Sequence, residues 1–385
     1  MIIMRLRMAI LSVLILSAIG CGSGSMTRKP VPPVPACTPA PKPEFAYVLL
    51  GTTVSMFTVD SCTGDLNPTA PATVPTGSAP GQTTSESMVA DPAGRFVYVA
   101  NTVSNAVDDA TISMYTINPS SGVLTPMTPP TLPTGFFPQG IAIDPAGKFV
   151  YTANSDDNTV SMFTINQTTG LLTPTTPAAV PTGWSPLSVT VHPSGKFAYA
   201  ANQDDGTISM YTIDPNSGVL SPTTPAAVPA GASPFGVTVH PSGRFAYVPD
   251  AYDVRNVVSQ YTIDPVSGVL TPNAPSTVTT GIEPTAVAVD PSGKFAYVVN
   301  RADNTVSMFT IDSSTGNLSP NGTVSAGSTP FRIIFDPSGK YVYVANEGSA
   351  VSIYTLGNDG SLSPGGIGAP ESSNSLAIAL TATKK

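Results

Sequence analysis

From Phe45 onward the chain alternates short apolar runs with polar turns, and one apolar run keeps returning. It reads FAYVLL from Phe45, FVYVAN from Phe96, FVYTAN from Phe149, FAYAAN from Phe197, FAYVPD from Phe245, FAYVVN from Phe295 and YVYVAN from Tyr341. These are seven copies, 46 to 53 residues apart. Runs of this length, bounded by turn residues and rich in aromatic and β-branched side chains, predict strands rather than helices. The last six follow a tight turn of the form Asp-Pro-Ala/Ser-Gly or His-Pro-Ser-Gly, as in Asp144-Pro145-Ala146-Gly147 and His192-Pro193-Ser194-Gly195. Pro presets φ at the second position and Gly accepts the positive φ that a Cβ resists, so the turn is a hairpin corner.

A polar loop and a third apolar strand follow each copy, TVSMFTI at Thr159 and Thr305 and TISMYTI at Thr111 and Thr207. Their two faces are both apolar or aromatic, which places them inside stacked sheets. The fourth segment carries Pro, as in Leu172-Thr173-Pro174-Thr175, and Pro is tolerated only at a sheet edge. Four antiparallel strands at this period, with the Pro-bearing strand outermost, predict an all-β fold of propeller blades around a channel. The first copy lacks an inner strand, whereas Ser375-Leu376-Ala377-Ile378-Ala379-Leu380 has no blade of its own. The expectation is a seven-bladed β-propeller over residues 44–382, closed by the C-terminal strand completing the first blade.

Ahead of the repeat, Arg5 and Arg7 precede an apolar run from Met8 to Ile19, too short to span a bilayer. The run ends at Ala18-Ile19-Gly20-Cys21, which resembles a lipobox with Cys21 as the lipidated residue; Ala18 stands where Leu is more usual. The other reading is plain secretion with a chance Cys. Residues 22–43 are rich in Pro, Gly and Ser without an apolar period and read as a flexible tether. These features predict an exported protein, lipid-anchored in the bacterial cell envelope and touching the membrane through that anchor only.

Charged residues make up only 10% of the chain and the formal net charge is -8, with few and scattered Lys and Arg. Nucleic acid is excluded as a partner, because phosphate binding needs clustered cations. Export implies an oxidising compartment, so Cys37 and Cys62 are expected to pair: the second strand of a blade starts on the face where the third ends. Closing a loop of roughly 25 residues, that disulfide would contribute about 3 kcal/mol.

The phrase DPSGKFAYVVNRADNTVSMFTID, with its sevenfold return, resembles the YVTN-type propellers and the bacterial lactonase family, whose best-known members are 6-phosphogluconolactonases. The likeness covers about Phe45 to Leu380. It implies an active site at the channel mouth with His, Arg and Glu character. Inner strands start near Glu86, Gln139, Leu187, Phe235, Thr285, Arg332 and Asn374, and second strands end before Gly51, Thr102, Ser155, Gln203, Ala251, Arg301 and Glu347.

The charged members, Glu86, Arg301, Arg332 and Glu347, are the catalytic candidates, with Gln139 and Asn374 as ligand-binding candidates. The resemblance carries over to Arg301 in VVNRADN and Glu347 in VANEGS. At Thr329-Pro330-Phe331-Arg332 the Arg falls one residue late, and in a strand one residue turns a side chain to the other face. The His that the family places at an inner-strand start is missing from every blade. Glu347 or Glu86 suits the base that lactone opening needs, and Arg301 or Arg332 the oxyanion or a substrate carboxylate or phosphate. The alternative is that these charges are ion pairs across the rim.

His192 and His240, the only histidines, occupy the Asp place of the turn, on the face opposite the mouth, and read as turn residues. The pairs Asp108-Asp109, Asp156-Asp157 and Asp204-Asp205 fit hairpin loops better than calcium, and no Cys/His cluster suggests zinc, so neither metal nor cofactor is expected. Trp184, beside Phe136 and Phe137 of the preceding blade, is expected to pack between blades rather than to stack on a sugar. A nucleotide-cofactor dehydrogenase lacks a binding motif. Two functions remain: hydrolysis of a small sugar lactone, or a non-catalytic scaffold for an envelope protein or glycan. The chain is expected to be a monomer.

Overall fold

The FxYV phrase forms the second strand of every blade, and a computed structural model shows what its aromatic residues do there. The structure describes residues 44–77, 83–103, 110–251, 254–347, 350–365 and 375–382. Cys21, the tether at 22–43, Cys37 and Asn374 lie outside the described residues.

Seven antiparallel four-stranded sheets make seven blades. Blade three is representative, with an inner strand Pro138–Ile143, a second strand Phe149–Asn154, a third strand Thr159–Ile165 and an outer strand Leu172–Pro181. The Pro-bearing strand lies at the outer edge of each blade, where a missing N–H interrupts no ladder. In blade one the innermost strand is Ser375–Ala382, paired antiparallel to Glu44–Leu50 with Phe45 opposite Thr381 and Leu49 opposite Ala377. The two ends of the propeller thus share one sheet, as the spare apolar segment predicts.

The Tyr of each phrase holds its blade to the next. Tyr47 Oη donates to Gly122 O, Tyr98 to Gly170 O and Tyr151 to Gly218 O, at 2.9, 2.7 and 2.8 Å. Tyr199, Tyr247 and Tyr297 continue the series onto Gly268, Gly316 and Gly360. Tyr343 of blade seven closes it on Gly64 of blade one at 2.8 Å. All seven side chains are buried, and burial pushes every one of these phenols above its ordinary pKa of 10.0. The Phe two residues earlier, or Tyr341 in blade seven, packs beneath the same glycine. A Cβ on Gly218, at φ 74°, would meet the Phe149 ring at 2.3 Å, so the position excludes any side chain twice over.

The turns on the face opposite the mouth are also built by side chains. Asp144 takes the backbone N–H groups of Ala146 and Phe149. In blades four and five His replaces that Asp: His192 Nδ1 accepts the N–H of Ser194 at 3.0 Å, which leaves Nε2–H to donate to Gly243 O in the neighbouring blade at 2.8 Å. His240 repeats the arrangement with Ser242 and Gly293. Both histidines therefore serve the turn and its junction.

Candidate functional site

Five of the seven second strands carry at or near their end a buried Asn, at Asn101, Asn154, Asn202, Asn300 and Asn346, that ties the following hairpin. Asn154 Nδ2 donates to Thr159 Oγ1 and Ser161 Oγ, and Asn300 does the same to Thr305 and Ser307. The next residue then donates its backbone N–H to the residue before the inner-strand Pro: Ser155 to Phe137, Gln203 to Ser185, Arg301 to Glu283 and Glu347 to Thr329. These four acceptors have φ of 53°, 55°, 59° and 49°. A left-handed non-Gly residue costs on the order of 1 kcal/mol, so the rim is held by its hydrogen bonds against a local preference. Every blade so built offers two adjacent side chains to the channel mouth. In blade six they are Glu283 and Arg301.

Arg301 reaches in both directions. Its Nη1 meets Glu283 Oε1 at 3.0 Å, and its Nη2 and Nε meet Glu347 Oε2 of blade seven at 2.7 and 3.2 Å. The hydrogen bond that Arg301 donates to Glu347 is the main cause that raises the guanidinium pKa above its ordinary value, with the charges of both carboxylates adding to it. Arg301, Glu283 and Glu347 stay 31%, 21% and 19% exposed, so solute from the mouth can reach all three. Each carboxylate meets Arg301 through one oxygen, which leaves the other to a hydroxyl or a water. Arg301 and Glu347 are thus brought together, and Glu283, which sequence reasoning passed over, completes the group. Its one signal is an acidic residue just before the inner-strand Pro284, outside the strand ends from which mouth positions were counted.

Arg332 lies elsewhere in the same funnel. Pro330 pairs with Asn346 and Arg332 with Ala345, so Phe331 is the extra residue of a β-bulge. The same bulge occurs in blades two, three, four and six, where Glu86, Gln139, Leu187 and Thr285 are the extra residues. The equivalent of Gln139 is therefore Phe331, and Arg332 aligns with Ser87, Gly140, Ser188 and Ala286. Arg332 lines an axial cavity of about 170 Å³ together with those small residues. Its guanidinium lies 5.1 and 5.7 Å from the Phe331 and Phe235 rings, which meet edge to face at 5.4 Å. Thr285 of the intervening blade donates to Phe331 O at 3.1 Å, fixing this aromatic bridge.

Gln139 is half-buried at its bulge and does not line that cavity. The backbone of Glu86 sits at the same place in blade two, and its side chain lies outside the described residues. Cys62 is disulfide-bonded, while the Cys37 half of the expected pair lies outside the described residues. Among the described residues no group of His, Cys, Asp and Glu has the arrangement of a metal site. Trp184 departs from expectation: it is 67% exposed on the rim rather than packed between blades.

The sequence matches the family described as "Lactonase, 7-bladed beta-propeller" over residues 40–185 and 188–367. Among solved structures it is similar to the Pseudomonas aeruginosa periplasmic gluconolactonase PpgL, with a TM-score of 0.72 at 19% identity, covering 88% of this chain and 100% of that one. A Bacteroides fragilis protein assigned as a candidate 6-phosphogluconolactonase gives a TM-score of 0.70 at 21% identity, covering 89% and 99%. A Lactobacillus plantarum protein gives 0.68 at 18%, covering 89% and 100%. No curated protein matches the sequence. With that family match spanning nearly all of the propeller, and a seven-bladed ring formed by its own residues, the chain belongs to the seven-bladed β-propeller lactonase family.

Proposed function

We propose that this protein is an exported, lipid-anchored, monomeric lactonase that hydrolyses a small, unphosphorylated sugar lactone at the channel mouth. The observation that carries the reading is Arg301 held between Glu283 and Glu347 in a solvent-reachable cluster spanning blades six and seven. Two carboxylates can take the hydroxyl hydrogens of a sugar, and one of them can orient a water. In the reaction, water oxygen attacks the lactone carbonyl carbon while its proton passes to Glu347. Arg301 N–H groups stabilise the oxyanion, and collapse breaks the ring C–O bond. The proton then returns to the departing alkoxide oxygen, giving the hydroxy acid. The signal-like N-terminus argues for an unphosphorylated substrate, since phosphorylated sugars are cytoplasmic metabolites.

The test is acid release from glucono-1,5-lactone and related aldonolactones, followed with a pH indicator above the buffer rate. Glu347→Gln and Arg301→Met are each expected to lower kcat/KM by about 100-fold or more with the melting temperature preserved. A purified protein that opens no lactone faster than buffer overturns the proposal. One observation favours a second reading, a non-catalytic envelope scaffold for a protein or glycan: both histidines are bound into turns on the opposite face, so none serves the mouth.

A further inference from the structure

The loops that enter the inner strands of blades three, four and six are stiff, and each holds a large apolar side chain out in water. In Gly135-Phe136-Phe137-Pro138, Gly183-Trp184-Ser185-Pro186 and Gly281-Ile282-Glu283-Pro284 the second residue is 37%, 67% and 52% exposed. Its backbone N–H donates to an Asp of the hairpin loop in the same blade: Phe136 to Asp157 Oδ2 at 2.7 Å, Trp184 to Asp205 Oδ2 at 2.7 Å and Ile282 to Asp303 Oδ2 at 2.6 Å. The Gly before it permits that approach, since a Cβ on Gly183 would stand 2.4 Å from Asp205 Oδ2. The residue after it carries the left-handed φ described above.

None of this needs an aromatic ring. Ile282 keeps the same loop, the same contact to its hairpin Asp303 and the same left-handed following residue with an aliphatic side chain. In blade five a differently built loop, with Gly231 at φ 107°, carries Ala232 on Asp250 Oδ2 of the strand end at 2.9 Å. The loop closes without a ring at Ile282, so the aromatic character of Phe136 and Trp184 is surplus to it, and their exposure costs hydrophobic free energy. They stand on successive blades whose inner strands touch: a Cβ on Gly140 would lie 2.7 Å from Ser188 Cα.

We propose that Trp184 and Phe136 form a platform on the mouth-side rim of blades three and four that binds a neutral pyranose polysaccharide, independent of any lactonase activity. A pyranose ring offers a flat C–H face to an aromatic ring and hydroxyl hydrogens at its edge. Asp157 and Asp205, which hold the two loops through their backbone N–H groups, and their sequence neighbours Asp156 and Asp204 are all exposed and supply acceptors for those hydroxyls. The same carboxylates, on a chain of net charge -8, repel anionic polymers. They also argue against a protein partner, because the centre of a protein interface is depleted of charge whereas here acids flank each ring. Holding the rings on a stiff loop lowers the ordering cost of binding.

The chain contains one tryptophan, so its intrinsic fluorescence reports this rim alone. Titration with cello-, xylo-, manno- and maltohexaose is expected to give a saturable blue shift with at least one of them. In affinity electrophoresis through the matching polysaccharide, Trp184→Ala is expected to weaken retention by about thirtyfold, the loss of a central aromatic anchor. Phe136→Ala is expected to weaken it less. An unchanged melting temperature in both variants checks that the truncated loops still form. Val266→Ser removes an exposed apolar group on the opposite face and leaves retention unchanged, as does Glu347→Gln, which separates this platform from the proposed catalytic cluster. Silence to all four saccharides, or a Trp184→Ala variant retained like the parent, overturns the proposal. So does emission that answers only to a purified envelope protein.

Discussion

The belt between blades and the rim of the mouth are built from the same repeat, yet they treat it in opposite ways. In the belt, a Tyr hydroxyl meets a Gly carbonyl at every one of the seven junctions, including the one where the chain's two ends meet. On the rim, the Gly-x-x-Pro loops of blades three, four and six keep one backbone hydrogen bond to a hairpin Asp, while the side chain at that position is Phe136, Trp184 or Ile282. A buried donor needs one partner at one distance, so the belt cannot vary. A solvent-facing side chain on a loop whose backbone is already satisfied can vary freely. Identity between blades thus marks what closes the ring, and difference between blades marks where individual chemistry resides.

The sharpest way to break that contrast is alkaline pH. Each belt phenol has its pKa raised by burial, so above pH 10 the unfolded chain sheds protons that the folded chain keeps. The unfolded state then binds fewer protons, and stability falls as pH rises. Stability is intact below pH 10 and is lost progressively above it, up to the folded pKa. Tyr115, Tyr211 and Tyr261, pushed up to about 12, add to the loss between pH 10 and 12. At about 1.4 kcal/mol per phenol one pH unit above 10, the belt surrenders on the order of 10 kcal/mol by pH 11, comparable with the whole stability of a typical domain. A melting temperature that collapses between pH 10 and 12 is expected. One that stays flat to pH 11 would mean that the phenols are not held in the belt.

A smaller effect separates packing from backbone strain. Gly218→Ala places a methyl group against the Phe149 ring at positive φ, and is expected to cost about 2–4 kcal/mol in urea unfolding. Gly195, at φ 70°, meets nothing closer than Pro145 at 3.9 Å. Its replacement by Ala should cost only the backbone share, about 1–2 kcal/mol. Equal costs at the two sites would show that the belt glycine is kept for its dihedral alone.

The strands, their order, the Pro-bearing outer edge and the closing C-terminal strand were all legible in the sequence, because each shows as a period, a turn residue or an unpaired segment. What period alone could not show was contact between blades: nothing in FxYV names Gly122 or Gly64 as the partner of its Tyr. The bulge at Phe331 was hidden as well, since counting by twos assumes an unbroken ladder. Glu283 was hidden because it lies outside a strand, on a residue whose left-handed φ only the folded rim imposes. Trp184 misled for a related reason: a lone aromatic in a loop has no periodicity from which to read a face.

The smallest effect tests the contrast from the side of the mouth. Arg301, Glu283 and Glu347 are partly exposed, and the desolvation of such charges offsets most of their mutual attraction. Replacing all three at once, as Glu283→Gln, Arg301→Met and Glu347→Gln, leaves no charge unpaired. The triple variant is expected to stay within about 1 kcal/mol of the parent in urea unfolding. The loss of one belt hydroxyl in Tyr199→Phe strands the Gly268 carbonyl and should cost about 1–2 kcal/mol. If the triple variant proved the less stable, the charge cluster would be a structural tie of the ring, and its divergence from the other blades would no longer point to chemistry at the mouth.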